Sequence, residues 1–288
     1  MGLAALWVTP AAAEIRATDV LGREIVLEQP ARRIVSLAPH ITEVVYAAGA
    51  GEKLVGAVSY SDYPEAAKAL PRVGSYKKVS LEPLVELEPD LVLVWLSGNG
   101  EDLVAQLESL GLRTFVQEPR TLQDVAETLI RVGQLAGTEA AAESSAAQFL
   151  ERYAALKSRY SEQRAVTVYY QIWNEPLLTL NGDHLISDVI RLCGGENAFA
   201  DATPLVSRIS VESVLLVDPQ VIVASGMDEA RPDWLDDWLD WPALTAVDNE
   251  QLYFVPPDLL QRHTPRIIDG AEILCRHLER ARATYYLD

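Results

Sequence analysis

The chain has little to do chemistry with. Its 288 residues include only two cysteines and four histidines, and neither type is clustered. Without a C-x-x-C or neighbouring histidines there is no zinc-type ligand set. No G-x-S-x-G elbow, P-loop or strand-linked G-x-G-x-x-G occurs, so the common nucleophile and phosphate devices are missing. Basic residues are also scarce. Against 42 Asp and Glu there are 24 Lys and Arg, a net charge of −18, which argues against nucleic acid and against anionic membrane surfaces. No apolar run reaches the roughly 18–20 residues that span a bilayer. What is present is 49% hydrophobic residues, ample for two medium-sized cores.

The two ends of this inventory point outside the cell interior. Leu3–Val8 is a short apolar core, and Ala11-Ala12-Ala13 is a small-residue site before Glu14. Together they read as the back half of a secretory signal, residues 1–13. No Lys or Arg precedes Arg16, so the basic start of such a signal is missing; a plain apolar tail is the alternative. With no cysteine at the cleavage site there is no lipid anchor there, which points to a periplasm. Cys193 and Cys275 in an exported chain usually pair. Two buried thiols are the other reading.

One stretch occurs twice. Val79–Trp95 reads VSLEPLVELEPDLVLVW and Ile209–Ser225 reads ISVESVLLVDPQVIVAS, with every matched pair 130 positions apart. Each copy has a serine able to cap a helix and a glutamate in the first turn, where the helix dipole favours it. Each then has an acidic-Pro stop and a run apolar on both faces, as a buried parallel strand must be. A second echo joins Thr42-Glu43-Val44 to Ser187-Asp188-Val189. The pattern predicts two related α/β lobes with parallel sheets, each with a glutamate, Glu82 or Glu212, at the same place.

The remaining signals fit that plan. A hairpin over 14–28 precedes strands at 34–37, 54–58, 91–95 and 114–116, alternating with helices as in a parallel sheet. Ser97-Gly98-Asn99-Gly100 reads as a loop. Residues 122–163 carry no strand signal; helical spacing with a stop and restart at Gly137-Thr138 predicts that the second helix there, about 20 residues and roughly 30 Å long, joins the lobes as a strut. The expected domains are 14–137, the interlobe helix 138–163, and 164–288. Trp234, Trp238 and Trp241 sit at i, i+4, i+7 and read as core anchors on one helix face. His277, in the closing helix, reads as structural.

Aromatics gather in loops after strands: Tyr60, Tyr63, Tyr76 and Trp95 in the first lobe, Trp173 in the second. Asp258 and Arg262 add a charged pair. Ligands of α/β sheets sit beyond the carboxyl ends of the strands, and aromatics supply broad contact there. Taken singly, each is as compatible with packing. Taken together, they predict a cleft for a large, flat, partly apolar ligand.

These residues carry a resemblance. Arg33-Ile-Val-Ser-Leu-Ala-Pro, Thr42-Glu43, Tyr60-Ser61-Asp62-Tyr63-Pro64, Ser80-Leu81-Glu82, Cys193-Gly194-Gly195-Glu196-Asn197, Ser210-Val211-Glu212 and Thr264-Pro265-Arg266 resemble the periplasmic cobalamin-binding proteins of ABC importers, within the helical-backbone class of solute-binding proteins. The Ser-x-Glu pair is shared with haem and ferric-siderophore binders of that class; the Tyr60–Pro64 and Cys193–Asn197 segments are narrower. The resemblance implies a ligand cleft between the lobes and ligand contacts at Tyr60, Tyr76, Trp95, Trp173, Asp258 and Arg262. It also implies a disulfide between Cys193 and Cys275, and docking of Glu82 and Glu212 onto arginines of a permease. Tyr76 stands where Trp is expected, Trp173 where Phe is, and His40 where a small residue is. A neutral imidazole at His40 is a competent ligand for cobalt; no other metal site is expected.

The implied function is capture of cobalamin or a related corrinoid, as transported ligand rather than cofactor, and its delivery to a permease and its ATPase. The chain would meet the membrane only through that permease. Two rivals stand beside it. Haem would want an axial His or Tyr, for which His40 or Tyr60 would serve, and an anionic siderophore would want more cleft cations than Arg262. An enzyme on the same frame would need an acid–base or nucleophile set, which the sequence lacks.

Overall fold

The computed structural model describes residues 14–226 and 230–286; the signal-like segment lies outside the described residues. The chain forms two compact units. One runs to Glu118 and includes Ile130–Ala142; the other comprises Pro119–Leu129 and the chain from Glu143 onward. The helices Leu122–Ala136 and Glu139–Tyr160 therefore each contribute to both units.

The N-terminal unit is built on a four-stranded sheet. Its order is Leu54–Ala57, Ile34–Ser36, Leu91–Trp95, Thr114–Gln117, and every pairing is parallel. Leu91–Val94 are all buried, the signature of a strand covered on both faces. An antiparallel hairpin, Ile15–Thr18 with Glu24–Leu27, precedes the sheet.

The C-terminal unit repeats the order: Gly195–Asn197, Val166–Gln171, Val221–Ala224, Leu252–Phe254, again all parallel. In chain order both sheets run second, first, third, fourth. The 130-residue echo is thus a repeat of topology. Cys193 ends the helix Leu185–Leu192 and is bonded to Cys275 of the closing helix Ile267–Tyr285, S–S 2.02 Å. Arg282 of that helix donates to the Cys193 carbonyl at 2.6 Å.

The echoed helices, Leu81–Glu86 and Val211–Val217, are anchored by equivalent residues. Leu84 and Val214 are both fully buried in the cores of their own units. A residue two positions earlier lies about 200° around a helix, so Glu82 and Glu212 face solvent, and both are exposed. The caps differ. Ser210 accepts from the Ser213 N–H at 3.3 Å, whereas Ser80 makes no side-chain cap.

The structure refines local expectations. Residues 97–99, read as loop, belong to a helical turn, Leu96–Asn99, which Ser97 N–H fastens to the Glu118 carboxylate at 2.7 Å. Asp258, expected to pair with Arg262, lies in the helical turn Pro257–Leu260, with Pro257 at its first position, where its missing N–H costs nothing. The tryptophan segment is a 3₁₀ helix, Asp233–Asp240. With three residues per turn, an α-type i, i+4, i+7 stripe does not stay on one face. Trp238 is buried, Trp234 is half-buried, and Trp241, past the end, is 42% exposed.

Candidate ligand site and docking glutamates

In each sheet the chain leaves the first strand toward one edge and the third toward the other. The switch point lies between those two strands, where ligands of open α/β sheets bind at the carboxyl ends. In the N-terminal unit these are Ile34–Ser36 and Leu91–Trp95. His40 follows the first in the helix Pro39–Ala47, and Trp95 ends the second. Their rings meet edge-to-face, centroids 4.9 Å apart at 88°. Tyr76 lies 5.7 Å from Trp95, its ring tilted at 44°. Three of the sequence-derived site residues are therefore one aromatic group.

Asn99 holds the group in place, and nothing in the sequence singled it out. Its Oδ1 accepts from Trp95 N–H at 2.7 Å. Its Nδ2 donates to the carbonyls of Leu37 and Tyr76 at 3.0 and 2.7 Å. His40 is only 4% exposed, beneath the group rather than on its surface.

Tyr60 is set apart, 74% exposed, with a φ of +65° that a non-glycine residue adopts only when its surroundings impose it. The neighbouring Ser61 is fixed by a buried chain of hydroxyls: Ser36 Oγ and Thr42 Oγ1 lie 2.5 Å apart, and Thr42 donates to Ser61 Oγ at 3.0 Å. That chain ties strand, helix and tyrosine loop, which gives Thr42 and Ser61 a physical reason in the motif.

In the C-terminal unit the site residues also follow strand ends. Trp173 is pinned by its indole N–H to the Glu175 carbonyl at 2.9 Å. Arg262 Nε donates to Asp258 at 3.0 Å, forming a half-buried ion pair after the edge strand. Two buried imidazoles of this unit, His184 and His263, lie 5.6 Å apart. Burial pushes His184 down to about 3 and His263 to about 4, with the Arg120 charge adding to both. The His184 Nδ1 accepts from Ile186 N–H at 3.1 Å, which fixes a neutral ring. No group of three or more His, Cys, Asp or Glu able to hold a metal ion occurs among the described residues.

Residues 34–259 match the family described as Periplasmic binding protein. The chain belongs to that family. It is 37% identical over 254 residues to the vitamin B12-binding protein of Vibrio cholerae, covering 88% of this chain and 91% of the relative. It is 36% identical over 250 residues to the protein of that name in Yersinia pestis, covering 87% of each. Among solved structures, the periplasmic vitamin B12 binding protein of Vibrio cholerae superposes with a TM-score of 0.82 at 36% identity, covering 88% of this chain and 98% of that one. A periplasmic heme-binding protein from Roseiflexus superposes with a TM-score of 0.74 at 25% identity, covering 87% and 98%.

Proposed function

We propose that this protein captures cobalamin or a related corrinoid in the periplasm and hands it to an ABC importer, without catalysing a reaction. The observation that carries the reading is the Tyr76–Trp95–His40 ring group at the N-terminal switch point. A broad aromatic surface held rigid by Asn99 suits a flat, amide-fringed macrocycle, since aromatics give contact area with a polar tip at low entropic cost. The exposed Tyr60 and the Asp258–Arg262 pair supply hydrogen-bonding groups for side-chain amides and a phosphate. Kinship with vitamin B12-binding proteins at 37% identity supports the same ligand class.

Glu82 and Glu212 are the proposed grips for the permease, one on each unit. The deciding experiment titrates purified protein with cyanocobalamin, cobinamide and haem, followed by absorption and calorimetry. Saturable one-to-one binding of a corrinoid, far tighter than haem, is the expected result. Tight haem binding with an axial-ligand spectrum and no corrinoid uptake would overturn it.

A further inference from the structure

The C-terminal unit contains a second feature that the corrinoid reading leaves unused. Its 3₁₀ tryptophan segment walls a pocket of about 130 Å³, lined by Trp234, Trp238, Trp241, Asp237, Glu175 and Val211 among others. Sites for drug-sized ligands run to about 300–1,000 Å³, so this one takes the head of a side chain or a very small molecule. The indole N–H of Trp238 is committed to Gln171 Oε1 at 2.7 Å, leaving its carbon surface for the pocket. Asp237 and Glu175 are exposed, and neither has an ion-pair partner among the described residues. The neighbouring Asp236, by contrast, is paired with Arg231. Aromatic faces and two unneutralised carboxylates in one concavity select a cation, which gains from the ring quadrupole and from the charge.

The position says which cation. Val211, in the pocket wall, is bonded to Glu212, the proposed grip of this unit. Leu216 lies one helical turn beyond Glu212 on the same face and is 87% exposed. Trp241 is 42% exposed, an apolar cost that association would remove. We infer that the pocket is a socket for an arginine side chain of the membrane partner, adjoining the Glu212 contact. Arginine fits better than lysine because its planar, weakly hydrated guanidinium stacks on indole while donating to carboxylates. Trp and Arg are the residue types that dominate interface energetics. The N-terminal unit has no tryptophan in the corresponding stretch after its echoed strand, so the two grips differ, and the partner must meet them in one orientation.

This inference rests on the importer reading, and its test separates the two. The indole N–H signals of the six tryptophans are followed by NMR while the full chain is titrated with argininamide. Saturable shifts of a subset of these signals, lost in Asp237→Asn, are expected. Affinity for the cognate importer in nanodiscs should fall about tenfold in Trp241→Ala, as for an aromatic interface anchor, with partial rescue by Trp241→Phe. Corrinoid affinity should stay unchanged in each variant. Argininamide binding without any corrinoid binding would keep the socket and reject the ligand. No saturable shift, shifts that survive Asp237→Asn, preferential binding of choline, or importer affinity indifferent to Trp241 would each overturn the socket.

Discussion

The indole of Trp95 lies so close to the backbone of Gly98 that a Cβ there would sit 2.0 Å from the ring. The turn Leu96–Asn99 folds back under its own first neighbour, and only a residue without a side chain leaves room. Gly98→Ala must therefore displace the indole or the turn. Overpacking of this kind costs about 1–3 kcal/mol, and here it falls on the proposed ligand surface. Corrinoid affinity should drop about tenfold or more, read by calorimetry, with a small loss of thermal stability. Unchanged affinity would show that Trp95 does not form that surface.

His40 meets the same indole edge-to-face. Its near-complete burial favours a supporting role over a bond to cobalt. His40→Ala should weaken binding by about 0.5–1.5 kcal/mol, the range for an aromatic pair, and leave the visible bands of bound corrinoid where they are. A band shift on this substitution would instead place the imidazole on the metal.

Much of this site could be read from residue order, and the reasons for the remainder are physical. The strands were legible because residues such as Leu91–Val94 are apolar without alternation, which few structures other than a covered parallel strand tolerate. The paired glutamates were legible because the repeat conserved Leu84 and Val214 behind them. Asn99 was not, since Ser-Gly-Asn-Gly has the composition of a loop, and its three hydrogen bonds depend on Leu37 and Tyr76, far away in sequence. The tryptophan pocket was hidden because 3₁₀ and α spacing differ by less than one residue per turn, yet they place Trp241 differently.

The buried imidazoles should weaken the fold in acid. His184, His263 and His277 are all pushed below the ordinary histidine value by burial, to about 3, 4 and 4. The unfolded chain therefore binds more protons than the fold once pH drops below about 6.5. Stability should be insensitive to these groups above that point and fall toward pH 4, by up to about 1.4 kcal/mol per pH unit for each group. Urea midpoints at pH 7, 5 and 4 should fall less steeply in His277→Phe, which keeps the stack on Tyr253. Equal slopes in variant and wild type would clear His277 of any part.

The disulfide closes 82 residues of the C-terminal unit. Chain entropy assigns such a loop about 4–5 kcal/mol. Cys193→Ala/Cys275→Ala should lower the melting temperature by roughly 10 °C and leave corrinoid affinity intact, because the bond staples two helices rather than the strand-end loops. A loss of affinity in protein shown to be folded would tie the bond to the site.

Glu82 and Glu212 give the sharpest test of the importer reading. Both stand in the first turn of a short helix whose next-but-one residue is buried, so both project outward. Neither has an ion-pair partner among the described residues. The plain explanation is the helix dipole, worth about 0.3–1 kcal/mol to a first-turn carboxylate. Ser210 strengthens it on one side, since hydrogen bonds from Ser210 and from the residue's own backbone hold the Glu212 carboxyl below its ordinary value. Glu82 sits behind a serine that makes no cap, yet the glutamate is kept. Dipole preference alone does not demand that identity while Asp90 and Gln220 differ between the copies. A partner that grips both units does demand it, and arginine answers a carboxylate with a bidentate fork. The variant Glu82→Ala/Glu212→Ala should fold, bind corrinoid with native affinity and fail to stimulate uptake by the reconstituted importer. Each single variant should retain partial transport and show weaker dependence of association on salt. Normal transport by the double variant would reduce both residues to helix-terminus charges, and loss of corrinoid binding would move them into the ligand site.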